Sequence, residues 1–316
     1  MKRIIIFLVL SLVIIQVSCD ANDNKAKSDV SAEKLKGKVK RVSLLTYKPI
    51  EKFGEIIKDG ETPISIHTIY FNDKGYRTEE NKIDSTGNKE LEIFYTYDAK
   101  GNRTESRWSY PANKERNHKY TYSYDEKRNL IEIIKNKLDG NPEFKITYQY
   151  DEKGNKTGEK TYDFDSKQEY KLVYKYDTEG NNIEKNGYDT KDSLLYKIIN
   201  KYDTKNKLSK ENRYKSDGSL EYRYNYSYDE KGNNTEKSWY NVAQLLVYRF
   251  VYEYDENGSE VEKTANVSNG SLIYKYRSNY EYDAHNNWVR KVTADEKTDI
   301  RKPVSIEERK IEYYGN

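Results

Sequence analysis

An aspartate that opens a tight turn recurs along this chain at a nearly constant interval, and this repeat constrains the fold more than any other feature. The aspartates are Asp73, Asp98, Asp125, Asp151, Asp177, Asp203, Asp229, Asp255 and Asp283. The differences between successive numbers are 25, 27, 26, 26, 26, 26, 26 and 28. Because five consecutive intervals have the same length, the chain must be built from copies of one supersecondary unit.

Aromatic residues occupy alternate positions directly before the aspartate in each copy. Tyr222, Tyr224, Tyr226 and Tyr228 precede Asp229 in this way, with polar residues between them. A period of two is typical of a β-strand with rings on one face and polar side chains on the other. A second strand and a looser turn follow the aspartate turn. The sequence therefore predicts one β-hairpin per copy.

The residues at the aspartate turn fit a three-residue hairpin loop, which is a type I turn closed by a left-handed residue. The aspartate side chain caps this turn, and a glycine three residues later accepts a positive φ. Asn206 and Asn286 replace the glycine in two copies and tolerate that conformation next best, whereas Arg128 fits no such rule. The predicted turn-forming pairs are Asp98 and Gly101, Asp151 and Gly154, Asp177 and Gly180, and Asp229 and Gly232.

About twenty antiparallel strands in meander order make this an all-β chain. Open twisted sheets of that size tend to curl, so we expect one long, twisted and curled meander sheet with its tyrosine face inside the curve. A flat single-layer sheet is the alternative. The 33 tyrosines explain how a chain with a mean hydropathy of −1.11 can fold, because tyrosine buries its ring while its hydroxyl stays hydrated.

The turn motif resembles the YD repeat of the RHS family. It is carried most clearly by the segments 95–102, 148–155 and 226–233, each of which reads Tyr-x-Tyr-Asp-x-Lys-Gly-Asn, and the resemblance covers roughly residues 64 to 314. Large RHS proteins wind such hairpins into a shell around a toxin, but nine units are too few to enclose cargo. The chain is more similar to short YD-repeat lipoproteins of the Bacteroidota type.

The N-terminus predicts export and lipidation. Lys2 and Arg3 precede an apolar run from Ile4 to Ile15, which is too short to span a bilayer and has the length of a secretory h-region. Ser18 and Cys19 follow and resemble a lipobox, with Cys19 as the acylated first residue of the mature protein. We expect a signal peptide at 1–18, a flexible tether at 19–34 and the repeat domain at 35–316. An outer-membrane lipoprotein, facing either the cell surface or the periplasm, follows from this organisation.

Composition narrows the function classes. Without Lys2 and Arg3 the chain has 54 basic and 53 acidic side chains, finely interleaved, so we expect no nucleic-acid partner. Lipidation of the single cysteine would leave no thiol for disulfides or thiolate chemistry. His67, His118 and His285 are far apart, and no catalytic or phosphate-binding motif is present. We therefore expect no enzyme activity, no cofactor and no metal site.

Two function classes stay open. In the first, the repeats form a binding surface for a glycan or a protein, with Trp108, Trp239 and Trp288 as candidate ligand-stacking residues. In the second, the aromatic residues only hold the sheet together, and the protein is a structural component of the cell envelope without a ligand of its own.

Overall fold

The computed structural model describes residues 28–298 and 300–315. The expected signal peptide, Cys19 and residues 20–27 of the expected tether lie outside these ranges. Helical structure in the described residues is limited to α1 (Asp29–Ala32) and one 3-10 turn (Lys114–Arg116). Neither of these described helices has the length and apolarity that spanning a membrane requires.

The remaining regular structure is β-strand. The first eleven strands are β1 (Val39–Tyr47), β2 (Pro49–Lys52), β3 (Glu55–Lys58), β4 (Ser65–Phe71), β5 (Arg77–Asp84), β6 (Lys89–Tyr97), β7 (Arg103–Ser109), β8 (His118–Tyr124), β9 (Leu130–Lys137), β10 (Pro142–Tyr150) and β11 (Lys156–Asp163). The other eleven are β12 (Gln168–Tyr176), β13 (Asn182–Tyr188), β14 (Leu194–Tyr202), β15 (Leu208–Lys215), β16 (Leu220–Tyr228), β17 (Asn234–Tyr240), β18 (Leu246–Tyr254), β19 (Glu260–Val267), β20 (Leu272–Tyr282), β21 (Trp288–Asp295) and β22 (Lys302–Tyr313).

Twenty of these strands form one closed antiparallel barrel. From β4 to β22 each strand pairs with the next, as the hairpin meander predicted from the sequence requires. β1 then lies between the two ends of this series, so that Val42 pairs with Ile311 of β22 and with Ile69 of β4. The expected open, curled sheet is therefore wrong. Closure pairs the backbone groups that an open sheet would leave free at its two edges.

A ring of this size leaves space along its axis. Twenty strands about 4.8 Å apart and tilted by about 40° would form a circular ring roughly 40 Å across. The extensive contacts between described strands join neighbours in the ring, apart from those that the separate β2–β3 hairpin makes with β22. The side-chain hydrogen bonds and ring contacts of the described strands, such as those of Tyr176, Tyr174 and Trp239, likewise join neighbouring or next-neighbouring strands, and we infer that the barrel has a lumen.

The two faces of the barrel wall differ in exposure. Alternate side chains of a strand point to opposite faces, and the position two before the aspartate is exposed in five consecutive repeats. These residues are Gln149, Lys175, Lys201, Ser227 and Glu253. The neighbouring tyrosines, such as Tyr148 and Tyr174, belong to the other face and are only partly exposed. On this basis we assign the tyrosine face to the inner wall and the polar face to the outer wall.

Buried apolar side chains gather where β1 closes the ring. On the inner wall, Val30 and Leu35 pack against Val42, Ile69 and Phe71. A second cluster lies on the outer wall and is covered by the β2–β3 hairpin; its members are Leu45, Tyr47, Ile56, Val292, Ala294 and Ile306. The apolar core of the described chain therefore lies mainly at this seam.

Residues 28–37 form a segment, here called the strap, that lies against the inner wall. Its helix α1 places Val30 in the inner apolar cluster, and Lys36 exchanges two hydrogen bonds with the Asn287 side chain. The sequence predicts a flexible tether through residue 34, whereas residues 28–34 are folded in the structure, because Val30 and Asp29 contact distant strands. The ordered chain thus begins before residue 35.

The aspartate turns all lie at one end of the barrel, here called the turn rim. At the Asp151 turn, the carboxylate accepts hydrogen bonds from the Asn155 backbone N–H (2.8 Å) and side-chain amide (2.9 Å), and Gly154 has a φ of +85°. The same clamp joins Asp98 to Asn102, Asp125 to Asn129, Asp177 to Asn181, and Asp229 to Asn233. Gly101, Gly180 and Gly232 also have a positive φ.

Two turns depart from the sequence alignment. In the first repeat, Asn72 and not Asp73 opens the turn, because the Asn72 side chain accepts the Tyr76 N–H at 3.0 Å. The interval from this capping residue to Asp98 then equals the regular repeat length. In the third repeat, Arg128 has a φ of +70°. Its guanidinium donates to the Lys100 carbonyl (2.8 Å) and to Asn102 (3.1 Å) of the preceding turn, which offsets the strain.

Replacing Gly154 with valine should lower the free energy of unfolding by about 1–3 kcal/mol, the scale of a strained left-handed residue. A Cβ atom at this glycine would meet only Asn129 Oδ1, at 3.9 Å, so the cost is conformational and not steric. Thermal and urea unfolding measure it. Asn206→Gly is the matched control, since Asn206 already has a φ of +57°, and it should change stability by less than about 0.5 kcal/mol. Equal stability of Gly154→Val and the wild type would refute the turn assignment.

Candidate binding surface on the inner wall

The inner wall is built from equivalent positions of successive repeats. Residues one, three, five and seven before each aspartate point into the lumen on one strand, and the residue eight after the aspartate faces them from the next strand. The resulting cross-strand pairs include Tyr148 with Glu159, Tyr174 with Lys185, Tyr226 with Lys237, and Tyr252 with Lys263. Aromatic rings and charged side chains therefore alternate around the lumen.

One column of tyrosines is used to hold the barrel together. The Tyr176 hydroxyl donates to the Lys156 carbonyl at 2.8 Å, and six repeats have such a contact, always to a carbonyl 20 positions earlier. The other pairs are Tyr150 with Leu130, Tyr202 with Asn182, Tyr228 with Leu208, Tyr254 with Asn234, and Tyr280 with Glu260. These hydroxyls bind backbone groups near the turn rim, so this column is structural.

Cations of the inner wall lie over the tyrosine rings. Lys237 Nζ is 4.0 Å from the centre of the Tyr224 ring, and the Arg213 guanidinium is 3.9 Å from that of Tyr196. Lys185 and Lys263 approach the rings of Tyr174 and Tyr252 at 5.9 and 5.7 Å. Such contacts stabilise a cation by about 0.5–2 kcal/mol, less than a full counter-ion in a desolvated site.

Charged side chains differ in their ion pairing between the two walls. On the outer wall, Glu184 binds Lys175, Glu236 binds Arg249 and Glu262 binds Lys275, with distances of 2.6 to 3.1 Å. On the inner wall, Lys185, Lys237 and Lys263 form no ion pair with any described carboxylate. The neighbouring inner carboxylates Glu211 and Glu260 are also without a described ion pair. In these three repeats the outer acid is therefore paired and the inner lysine is not, although exposed outer residues such as Lys201 and Glu253 are also without a described ion pair.

The three tryptophans all belong to the inner wall but do not form one site. Trp108 on β7 and Trp239 on β17 are ten strands apart in a ring of twenty, so they lie on opposite sides of the lumen. Trp108 stacks on His118 with ring centres 5.5 Å apart, and Trp239 stacks on Tyr248 at 5.2 Å.

Trp288 lies near the turn rim. The guanidinium of Arg309 covers its ring at 3.7 Å. Since each indole already has a partner of its own, these contacts favour structural roles for Trp108, Trp239 and Trp288 over a shared stacking platform.

Two of the histidines and the acidic residues of the β11–β12 turn also make internal contacts. His67 binds Glu80 at 2.7 Å, and His285 stacks on Tyr313 with ring centres 4.1 Å apart. The Asp163 carboxylate accepts the Ser166 N–H, while Asp165 binds Lys137. Within residues 28–298 and 300–315, no group of three or more potential metal ligands comes together.

Burial inside the barrel shifts several pKa values. It raises the pKa of Tyr120 and Tyr280 to about 12 and also raises the pKa of Tyr148 and Tyr174. Burial lowers the pKa of Lys185. A raised tyrosine pKa and a lowered lysine pKa both favour the neutral form of the side chain, so burial at the inner wall disfavours a charge without a counter-ion.

Replacing Tyr176 with phenylalanine should lower the free energy of unfolding by about 0.5–1.5 kcal/mol, because the Lys156 carbonyl loses a donor. Urea denaturation checks the value. Tyr170 is the matched control, since it is 45% exposed and its hydroxyl binds only Gln168. Tyr170→Phe should stay within about 0.5 kcal/mol of the wild type. If both variants lose the same stability, the recurring hydroxyl contact does not hold the barrel.

Stability should fall at high pH. Unfolded tyrosine titrates near pH 10, and burial raises the pKa of Tyr120, Tyr252 and Tyr280 to about 12. The unfolded chain therefore releases these protons first. The stabilisation is complete below about pH 10 and is lost as the pH rises towards about 12. Tyrosinate absorbance should titrate later in the native protein than in urea, and coincident curves would contradict this.

No model of a known protein family matches the sequence, and no curated protein matches it either. Among solved structures, the chain is similar to TcdB2-TccC3-Cdc42, with 13% identity, a TM-score of 0.36 and coverage of 86% of this chain. The chain spans only 16% of that longer chain. It is also similar to a porin-like protein from Bacteroides uniformis, with 10% identity, a TM-score of 0.37 and coverage of 87% of this chain and 96% of the other.

A second porin-like protein, from Bacteroides vulgatus, shows 12% identity, a TM-score of 0.31 and coverage of 88% of this chain and 99% of that chain. Each of these TM-scores is below 0.5, so the likenesses carry no argument about function. The resemblance to the YD repeat of the RHS family therefore rests on the sequence motif.

Proposed function

We propose that this chain is an envelope-anchored YD-repeat lipoprotein that acts as a non-catalytic binding module, with a glycan or a protein as its ligand. The observation that carries the proposal is the contrast between the two walls. Glu184, Glu236 and Glu262 on the outer wall are neutralised by neighbouring bases, whereas the residues that follow them, Lys185, Lys237 and Lys263, lie near tyrosine rings inside the lumen without a described ion pair. Burial lowers the pKa of Lys185, so an unpaired cation there costs stability, and a ligand would offset that cost.

The chemistry of the inner wall suits a ligand that is both flat-faced and polar. Rings such as Tyr224 and Tyr226 offer apolar faces, and Lys237 offers a donor beside them. Small numbers of polar groups among aromatic side chains are typical of binding sites. A sugar ring or the side chains of a polypeptide would satisfy both requirements.

Lipidation of Cys19 would set the orientation of the barrel. Residues 20–27 separate Cys19 from the first residue of the strap, and a segment of that length spans at most about 30 Å. Ser28 lies beside the Gly75 turn, at the turn rim. In this proposal the turn rim faces the membrane, on either the surface or the periplasmic side, and the opposite end of the lumen faces away from it.

The alternative is a structural component of the envelope with no ligand. It is favoured by the tyrosine column that binds backbone carbonyls and by the stacking of Trp108 and Trp239 on their own neighbours. In that case the inner aromatic residues contribute only to stability.

Substitution of inner-wall and outer-wall residues separates the two functions. The full-length protein is screened against glycan and protein arrays, and Trp239→Ala is compared with Phe94→Ala, an outer-wall residue that is 46% exposed. We expect Trp239→Ala to weaken binding of a captured ligand by about tenfold, or roughly 1.4 kcal/mol, with Phe94→Ala unchanged. Far-UV circular dichroism and thermal unfolding control for folding.

Protease shaving of intact cells, with Cys19→Ala as the unanchored control, decides which arrays are relevant. Digestion on whole cells would direct the screen to host glycans and matrix proteins. If no array component binds, the structural alternative replaces the binding proposal. If a ligand is captured but Trp239→Ala binds it as well as Phe94→Ala does, Trp239 is not part of the binding site.

A further inference from the structure

The strap shows how the inner wall binds a carboxylate. The Asp29 side chain accepts hydrogen bonds from the Tyr97 hydroxyl (2.9 Å), the Arg103 guanidinium (3.0 Å) and the Arg77 backbone N–H (2.8 Å). Arg103 itself lies over the ring of Tyr95, at 4.5 Å from its centre. A cation placed on a tyrosine ring therefore receives its counter-ion from a polypeptide segment that is not part of the wall.

The repeats explain why Arg103 needs this outside partner. The residue eight after the aspartate faces the tyrosine at position minus three, and in the Asp151 repeat it is Glu159, which binds Lys156 at 2.8 Å. In the Asp98 repeat the same position is Ser106, which has no charge. The strap supplies the carboxylate that the wall lacks there.

Three other repeats have the cation and the ring, but no described carboxylate forms an ion pair with the cation. Lys185, Lys237 and Lys263 occupy the position eight after the aspartate and face Tyr174, Tyr226 and Tyr252 directly. They lie on β13, β17 and β19, on the side of the ring away from the strap, and Glu211 occupies the same position on β15 between them. Lys291 on β21 has the same position but is already paired with Glu307 at 3.4 Å.

The strap is also held through its main chain. The Asn287 side chain accepts the Lys36 N–H at 2.7 Å and donates to the Lys36 carbonyl at 2.8 Å. Val30 and Leu35 pack on the inner apolar cluster. Paired amide contacts and buried aliphatic side chains are features of polypeptide recognition, and they show that a peptide fits against this wall.

On the basis of the binding function proposed above, we propose that the inner wall recognises carboxylate-bearing polypeptide segments, with the strap as a built-in example and Lys185, Lys237 and Lys263 as the unfilled positions. Each lysine would hold one Asp or Glu side chain over its tyrosine, as Arg103 holds Asp29. The ligand is then an acidic protein segment and not a neutral sugar.

The test measures binding of a fluorescently labelled polyglutamate peptide to the full-length protein by fluorescence anisotropy. Lys185, Lys237 and Lys263 are replaced together by glutamine. The matched control replaces Lys100, Lys153 and Lys201, which are exposed on the turn rim or the outer wall, and so changes the net charge equally. We expect the inner variant to lose affinity by about tenfold or more, the control to bind as the wild type does, and an inner Lys→Arg variant to retain binding.

A polyuronate oligomer of similar charge distinguishes the two proposals. If the wild type binds polyuronate through the inner lysines but not polyglutamate, the binding function stands and the polypeptide class is wrong. If it binds neither, both the binding function proposed for the inner wall and its proposed ligand class are wrong. Equal loss of polyglutamate affinity in the inner and control variants would mean nonspecific charge attraction and would also overturn the inference. Circular dichroism of each variant establishes that it is folded.

Discussion

The pairing of β1 with both β22 and β4 is the interaction on which the rest of the structure depends. Every other strand pair in the ring is joined by a short connection, so its closure costs little entropy. β1 and β22 are separated by most of the chain, and Arg41 and Glu312, which form an ion pair across this seam, are 271 residues apart. The seam therefore needs additional burial, and the inner cluster around Val42, the outer cluster around Ile306 and the strap provide it.

Away from the seam, polar contacts stabilise the barrel where an apolar core would do so in most proteins. In one repeat, Asp177 binds Asn181 across the turn, and the Tyr176 hydroxyl binds the Lys156 carbonyl of a neighbouring hairpin. Repetition makes these modest bonds effective, because each contributes about 1 kcal/mol and the same contact recurs around the ring. This explains how a chain with so negative a mean hydropathy folds, and why tyrosine is the preferred ring: phenylalanine would fill the space but could not bind the carbonyl.

The sequence was sufficient wherever the contact is local. Asp151 and Asn155 are four residues apart, and the alternation in β16 lies within nine residues, so turns and strands could be predicted. The misplacement of the first turn at Asp73 arose because Asn72 performs the same capping with an amide. Ring closure, the folding of the strap and the placement of Trp108 opposite Trp239 could not be predicted, because each depends on strands that are brought together only when β1 closes the ring.

The alternation of side chains along each strand also places neighbouring charged residues on different walls. The dipeptide Glu-Lys occurs at 184–185, 236–237 and 262–263, always seven and eight residues after the aspartate. In the sequence such a pair looks neutral, and the chain as a whole is nearly neutral. In a strand its two members point to opposite faces, so Glu236 meets Arg249 outside while Lys237 lies on Tyr224 inside. A shift of one residue would exchange the walls. The near-neutral composition thus conceals three described repeats whose outer acids are paired and whose inner lysines are not. The Asp203 repeat has the opposite order, with Lys210 at the outer position and Glu211 at the inner one, so the residue chosen at each position, and not the repeat length alone, decides which charge lies inside.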